Sequence, residues 1–562
     1  MDLFYRHPPN NRNFLLSESF DCFDGFGHGN FQKRTLLICI VSVIVVSSHS
    51  YLQSVIARDV DHWCGRPPHS NMSAQAWKNE AIPLDADGQL SRCRQYEIPE
   101  ETNNSRTIPC KYWEYDEDQA MTTLRSTWDL VCGRQELFRI ALLTERVASV
   151  VFGVTAGSVS DRFGRMPILL AAVSVLLVST MSSCFARSYP FYVVGRFFAQ
   201  GSATATYLIN GIMLFEVTTH GNRPIHVVLA GVVASVVFDL WVVMINAGRA
   251  SWRVKQGIFI SPTFLMLTTF FSPLESPRWL VAKGRLEEAE EVMLAAAELN
   301  SFPLQSAACV VEDLRKQVEK LPDFTLTETD SMLGGVSIRK RAVSAFALYF
   351  CIAYAVRVVL FLVVTRASYI VQWAAFAATV LCFPPMLHLL KTVPMLKYMR
   401  TCFAALGTLT CLLSLLIAAE LVIISDAFLV AAKALATTVN IVFIVYTQEL
   451  FPTAVRGTAC GWILGFGALG SLCADFSVRL EDGKRIDVAL AVAGSLLYAS
   501  MLGRLGLPRN TTVECAKMTA KRASVYTRKM LEHMKRTLEK SGTSRSHATT
   551  SLGCKTPVSM ND

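Results

Sequence analysis

The residues Gly157-Ser-Val-Ser-Asp161-Arg162-Phe-Gly164-Arg165 bring one carboxylate and two guanidinium groups together between two apolar runs. A carboxylate there can accept from the N–H groups at the start of a neighbouring helix, where the helix dipole favours an anion. Arg162 and Arg165 can pair with carboxylates arriving from elsewhere, and Glu216 and Glu449, each following a later apolar run, are the candidates. Gly164 permits a tight reversal, and Gly157 with Gly153 one turn earlier makes a small-residue face that admits a close neighbour. This is the chemistry of a latch, which holds and releases. The plainer alternative is a short loop with two arginines that mark one side of a membrane. No metal-ligand spacing, phosphate-binding glycine loop or nucleophile constellation occurs, so no metal, cofactor or enzymatic chemistry is expected.

The elements that must carry these groups are written in the apolar blocks. Of 562 residues, 52% are hydrophobic and 18% charged, whereas soluble chains carry about a quarter charged residues. Runs fall at 35–56, 137–157, 167–186, 190–213, 226–247 and 255–272, then at 342–364, 369–390, 401–423, 426–447, 457–476 and 487–505. Such lengths suit a hydrocarbon core of roughly 30 Å, where each run must be a helix because every backbone group needs an internal partner. The first run is too long for the apolar region of a cleavable signal. Lys33 and Arg34 before it place the amino terminus in the cytosol. Twelve crossings return the tail to that side, and from Arg509 it carries eleven Lys or Arg against four acids, in line with positive-inside. The net charge of +9 is not interleaved with aromatics, which argues against a nucleic-acid partner.

Residues 1–34 are expected to be a cytosolic amino terminus, 35–272 a first six-helix bundle and 342–506 a second. Between helices 1 and 2, an extracellular loop, 57–136, holds Cys64, Cys93, Cys110 and Cys132, enough for two disulfides in an oxidising compartment. Four cysteines allow three connectivities, and all stay open. Asn71-Met-Ser and Asn103-Asn-Ser are glycosylation sequons on the same side; Asn510-Thr-Thr falls on the cytosolic side. In the cytosolic stretch 273–341, Leu286, Ala289 and Met293 make one apolar helical edge, and Val311, Leu314, Val318 and Leu321 another. These helices either lie under the membrane domain or are solvated linkers. The basic tail, 507–562, has an apolar line at Leu531, Met534 and Leu538, suited to anionic lipid or simply solvated.

The halves echo each other. Glu216 and Arg223 follow helix 4, and Glu449 and Arg456 follow helix 10 at a constant offset of 233 residues. Pro277-Arg278 recurs as Pro508-Arg509 at an offset of 231. Duplicated six-helix bundles predict a rocking carrier with its site between the halves near the midplane.

The loop that ends at Arg165 resembles the signature loop of the major facilitator superfamily. The run Glu275-Ser-Pro-Arg278-Trp-Leu280 with Gly284-Arg285, together with Asp61-His-Trp-Cys64, Trp128-Asp-Leu-Val-Cys132 and Glu449-Leu-Phe-Pro-Thr-Ala-Val-Arg456, resembles the organic cation, anion and zwitterion transporter family. The resemblance spans about 20 to 510. It implies a multi-pass plasma-membrane transporter of small organic ions by alternating access, uncoupled or with a coupling or exchange ion. The latch and its partners, Asp161, Arg162, Arg165, Glu216, Arg223, Glu275, Arg278, Glu449 and Arg456, would then gate it. Departures are Met166 where a basic residue is usual, and no second Asp-Arg-x-Gly-Arg in the carboxy-terminal half. They keep a non-transporting receptor on the same scaffold as the rival reading, with a sugar-porter-like carrier beside it.

Ionisable residues inside spans are site candidates by default. Arg196 is expected to pair with Glu145, either structurally or as part of coupling. Arg146, Asp239, Arg357, Lys433 and Asp475 can bind substrate, snorkel or pair with one another, while Tyr354 and Tyr446 can line a cavity. At the helix 11 position that helps set charge preference in the family, this chain has the neutral Ala468. If Arg357 and Lys433 both face the cavity, an anion is favoured; if one pairs with Asp475, that argument fails.

Overall fold

The computed structural model describes residues 29–67, 72–85, 88–97, 106–116, 122–219, 223–248, 250–271, 274–303, 307–308, 311–312, 336–365, 368–393, 395–451, 453–479 and 486–502. Among the described residues, each of the twelve apolar runs falls largely on a helix. The helices of the first half are α1 (Asn30–Ile56), α2 (Gln135–Phe163), α3 (Arg165–Cys184), α4 (Tyr189–Val217), α5 (Arg223–Ala247) and α6 (Trp252–Ile260). The second half has α7 (Val336–Thr365), α8 (Tyr369–Thr392), α9 (Met395–Ala418), α10 (Val422–Leu450), α11 (Thr453–Arg479) and α12 (Ile486–Leu502). After Ile260, α6 continues as a 3-10 helix, Ser261–Phe271; Pro262 at its start lacks the N–H that an α-helical bond requires.

Among the described residues, nine helices are long and apolar enough to cross a membrane. α2, α4 and α12 fall outside that set. α12 is short, at 17 residues. α2 and α4 carry Glu145, Arg146, Asp161, Arg196, Gln200 and Glu216, all buried against protein, which is how an ionised group is tolerated at that depth.

Packing follows the repeat. In the first half α1 packs on α4, α5 and α6, and α4 also packs on α2 and α3; in the second, α7 packs on α10, α11 and α12, and α10 also packs on α8 and α9. The halves meet where α2 lies on α11 and α5 on α8, two contacts that exchange under a six-helix shift.

The α2–α11 seam is glycine on glycine. A Cβ on Gly457 would stand 2.6 Å from the Gly157 carbonyl oxygen, and one on Gly157 would overlap the Gly457 carbonyl. Gly461 faces Gly153 in the same way one turn further on.

The loop after α1 is a small unit of two ribbons. β1 (His62–Cys64) pairs antiparallel with β4 (Trp113–Tyr115), and β2 (Arg94–Tyr96) with β3 (Thr107–Pro109). Disulfides join Cys64 to Cys110 and Cys93 to Cys132, with Cα separations of 5.1 and 5.6 Å. Of the three connectivities open to the sequence, this is the interleaved one. Asn71 and Asn103 lie outside the described residues.

At the opposite end, the helix Pro277–Ala282 is capped by Ser276, whose hydroxyl accepts from the Trp279 N–H. The helix Leu286–Leu299 buries Ala289 and Met293, with Leu286 half-buried and Glu287, Glu288 and Glu291 exposed. Its face packs on Phe31, Val217 and Trp279, beneath the long helices. Leu314, Val318, Leu321 and the tail from 503 lie outside the described residues.

Candidate functional site

Three sets of polar contacts surround a cavity between the halves. The first set is at the end where α2 stops and α11 begins, the latch end. Gly164, at φ 113°, turns the chain between α2 and α3, a region of backbone that favours glycine. That turn leaves Asp161 facing the second turn of α11. Its carboxylate accepts from the Gly457 N–H at 3.0 Å, the Thr458 N–H at 2.6 Å and the Thr458 hydroxyl at 2.8 Å.

Arg165 opens α3 and is wholly buried. It donates to Asp161 at 2.6 Å, to Glu216 at 3.2 Å and to the Thr453 carbonyl at 3.0 Å. Glu216, at the foot of α4, also accepts from Arg456 of α11 at 2.9 Å. Glu275 caps α3 by accepting from the Arg165 and Met166 N–H groups, each at 3.0 Å. Burial pushes its carboxyl above the ordinary value, an effect those bonds only partly offset. Trp279 closes the floor by donating to the Asp161 carbonyl at 3.1 Å.

The second set lies toward the loop end. Asp475 of α11 accepts from Arg357 of α7 at 2.7 Å and from Arg146 of α2 at 3.2 Å. Lys433 of α10 pairs with Asp239 of α5 and donates to Thr379 of α8 at 2.8 Å. The Arg146 and Lys433 pairs both cross between halves.

The third set stays within the first half. Arg196 of α4 donates to Glu145 of α2 at 2.9 Å, to His49 Nδ1 at 2.8 Å and to the His49 carbonyl at 2.7 Å. A guanidinium has no acceptor, so His49 Nδ1 must accept. The imidazole is therefore neutral, with its Nε2 proton directed to Thr263 at 3.1 Å.

Between the latch and the loop-end pairs lies a cavity of about 120 Å³, walled by α1, α4, α5, α7, α10 and α11. Its polar side chains include Ser47, Tyr207, Tyr349, Asn440 and Gln448, and among the described residues no Asp, Glu, Lys, Arg or His lines it.

Known proteins share this arrangement. The sequence profile of the family described as Sugar (and other) transporter matches residues 139–474. The chain belongs to that family. Solute carrier family 22 member 7 of Rattus norvegicus is 26% identical over 497 residues, covering 84% of this chain and 92% of its own length. Solute carrier family 22 member 6-A of Xenopus laevis is 25% identical over 481 residues, covering 80% and 84%. The solved proton:xylose symporter XylE, bound to 6-bromo-6-deoxy-D-glucose, matches with a TM-score of 0.56 at 17% identity, over 84% of this chain and 94% of that one. That likeness establishes the major facilitator fold. The protein is a transmembrane transporter.

In this transporter the motif residues whose side chains are described converge at the latch, apart from Arg162. Arg162, expected to reach Glu216 or Glu449, is exposed and lies over the Phe163 ring; Arg165 takes that role because the chain turns at Gly164. Arg278 is buried and Glu449 half-buried near the latch. Arg223 begins α5, and its side chain lies outside the described residues.

The substrate-binding candidates fare differently. None of Arg357, Lys433, Tyr354, Tyr446, Ala468 and Asp475 lines the cavity. Arg357 and Lys433 are bound to carboxylates, and the Tyr354 hydroxyl donates to Ser477 at 2.8 Å; Tyr446 and Ala468 are buried among the helices. Because Arg357 pairs with Asp475, the charge argument for an anion fails by its own condition. Sequence reasoning passed over Gly457, Gly461, His49, Tyr207, Asn440 and Gln448. The glycine spacing 457–461–465, matched to 153–157, was the available signal for the seam.

Proposed function

We propose that the chain is a plasma-membrane carrier that moves small organic solutes by alternating access, with twelve crossings and both termini in the cytosol. On this reading the loop 57–136 is extracellular, the latch end is the inner gate, and the Arg146–Asp475 and Lys433–Asp239 pairs form the outer gate. The observation that carries it is that contacts between the halves bridge both ends of one central cavity, as an occluded carrier requires. Opening one end breaks its own cross-bundle contacts and leaves the other end's intact. The Arg196–Glu145–His49 cluster lies within one half, so it moves as a body and holds that half rigid.

The test is uptake of a panel of small organic anions, cations and neutral solutes by cells expressing the chain. Saturable uptake that falls in Asp161→Asn and Arg456→Ala at matched surface density is expected. Saturable binding without uptake across the panel would replace the carrier by a receptor.

A further inference from the structure

We propose that the central cavity binds an uncharged, single-ring solute presenting at least one hydrogen-bond donor, and that this solute is the cargo; the inference rests on the transport reading above. The wall is the first reason. Among the described residues no Asp, Glu, Lys, Arg or His lines it, and the charges nearby are engaged elsewhere: Arg357 and Arg146 with Asp475, Lys433 with Asp239, and Arg456 with Glu216. An organic ion at the centre would lose its hydration and meet no counter-charge, the most expensive form of burial. The dipoles of a tyrosine or an amide suit a neutral ligand better.

Size is the second reason. A cavity of about 120 Å³ is close to the engineered cavity of about 150 Å³ that accepts benzene. A single ring fits.

The third reason is an acceptor waiting for a donor. Gln448 of α10 lines the cavity and is only 5% exposed. Among the described residues its amide oxygen has no hydrogen-bond partner, and a buried polar atom left so is costly until a ligand supplies the bond. Across the cavity the Tyr349 hydroxyl donates to Asn440 over a long 3.3 Å, a bond that a ligand can displace. The Ser235 and Thr447 hydroxyls are already given to carbonyls of their own helices. Val43, Leu208, Ile444 and Ile463 fill much of the rest of the wall. A planar ring with one or two polar substituents matches that mixture, its faces on the aliphatic side chains and its donor on Gln448.

Gln448 also ties cargo to gate. Its backbone carbonyl accepts from Arg456 Nε at 3.1 Å, while Arg456 Nη1 holds Glu216 across the latch at 2.9 Å. A solute bound to the side chain therefore pulls on the residue that anchors the inner gate.

The experiment uses the full chain in lipid nanodiscs and a matched set of one-ring probes: neutral nicotinamide, anionic nicotinate, cationic 1-methylnicotinamide, and xylose as the polyol. Calorimetry is expected to show saturable nicotinamide binding at least tenfold tighter than that of the other three. Gln448→Leu should weaken it about tenfold and Tyr349→Phe by less, with both variants melting within a few degrees of wild type. Equal or tighter binding of a charged probe or of xylose overturns the inference, as does the absence of nicotinamide binding. Insensitivity of nicotinamide binding to both substitutions also overturns it. Proteoliposome uptake of nicotinate or 1-methylnicotinamide without nicotinamide binding would sink the neutral site while leaving the transport reading standing.

Discussion

Replacing Asp161 by Asn keeps the shape of the latch and removes its charge. The carboxylate receives three bonds from α11, at 3.0, 2.6 and 2.8 Å, and one from Arg165 at 2.6 Å. An amide can accept with its oxygen from Gly457 and Arg165, but its NH2 then points at the Thr458 N–H, a donor facing a donor, while the Thr458 hydroxyl can only turn to accept from it. Bonds to a charged group contribute about 1.5–3 kcal/mol each. Losing the Thr458 N–H bond together with the charge assistance of the others should favour the open inner gate by about 3 kcal/mol, a population shift of roughly 100-fold. Cys460 reports it: the thiol lines the cavity and is buried while the latch is closed. In inside-out vesicles, maleimide labelling at Cys460, read by peptide mass spectrometry, should accelerate by about two orders of magnitude. Thr458→Val removes only the hydroxyl bond, worth about 1.5 kcal/mol, and should accelerate labelling roughly tenfold. An unchanged rate in Asp161→Asn, with normal melting, would refute the latch as the inner gate.

Gly157→Ala places a methyl group against the Gly457 carbonyl; the seam should part at a cost of about 1–3 kcal/mol, and Cys460 should label fast even with Asp161 intact. Lys433→Met strands Asp239 in the interior and should cost about 3–5 kcal/mol, whereas Lys433→Met with Asp239→Leu should recover most of the lost melting temperature; a double variant no better than the single would deny the pair. Glycosidase should shift the mobility of wild type but not of Asn71→Gln with Asn103→Gln, and a shift lost only in Asn510→Gln would invert the topology. In the external loop, partial burial raises the Glu114 carboxyl, but the hydrogen bonds and charge of Arg66 outweigh that and hold it below its ordinary value. A depressed carboxyl stabilises above the unfolded value and loses that contribution as pH falls through the folded one. Trp63, which donates to Glu114 at 3.2 Å, should therefore change fluorescence on strong acidification, and Glu114→Gln should abolish the transition.

The helices were legible because lipid imposes a length and a composition on each, and the latch because its charged residues are adjacent in sequence. The helix ends were less so. The apolar run 190–213 ends before Glu216, yet α4 continues to Val217, since two arginines from other helices neutralise that carboxylate at the bundle foot. Of the two arginines expected to reach a carboxylate, Arg165 does and Arg162 does not, because a positive-φ glycine between them resets the direction in which side chains leave the backbone. The cavity was the least legible part. Its residues come from six helices and are neutral, so nothing in type or spacing marks them. The conspicuous charges drew attention instead, and their partners, Asp239 for Lys433 and Arg146 for Asp475, depend on how the two halves meet.

The glycine seam limits how this chain can drift. When a bulky side chain grows at an ordinary helix contact, the partner can shrink to make room, and a second change repairs the first. At 157 the residue faces the Gly457 backbone, and at 457 it faces the Gly157 carbonyl beside the Ser160 and Asp161 side chains; in each case the partner glycine has nothing left to give up. No substitution at one position can be rescued at the other. An ancestor that acquired this crossing could refine its cargo site freely, but the two backbones that meet beneath that site became a fixed hinge.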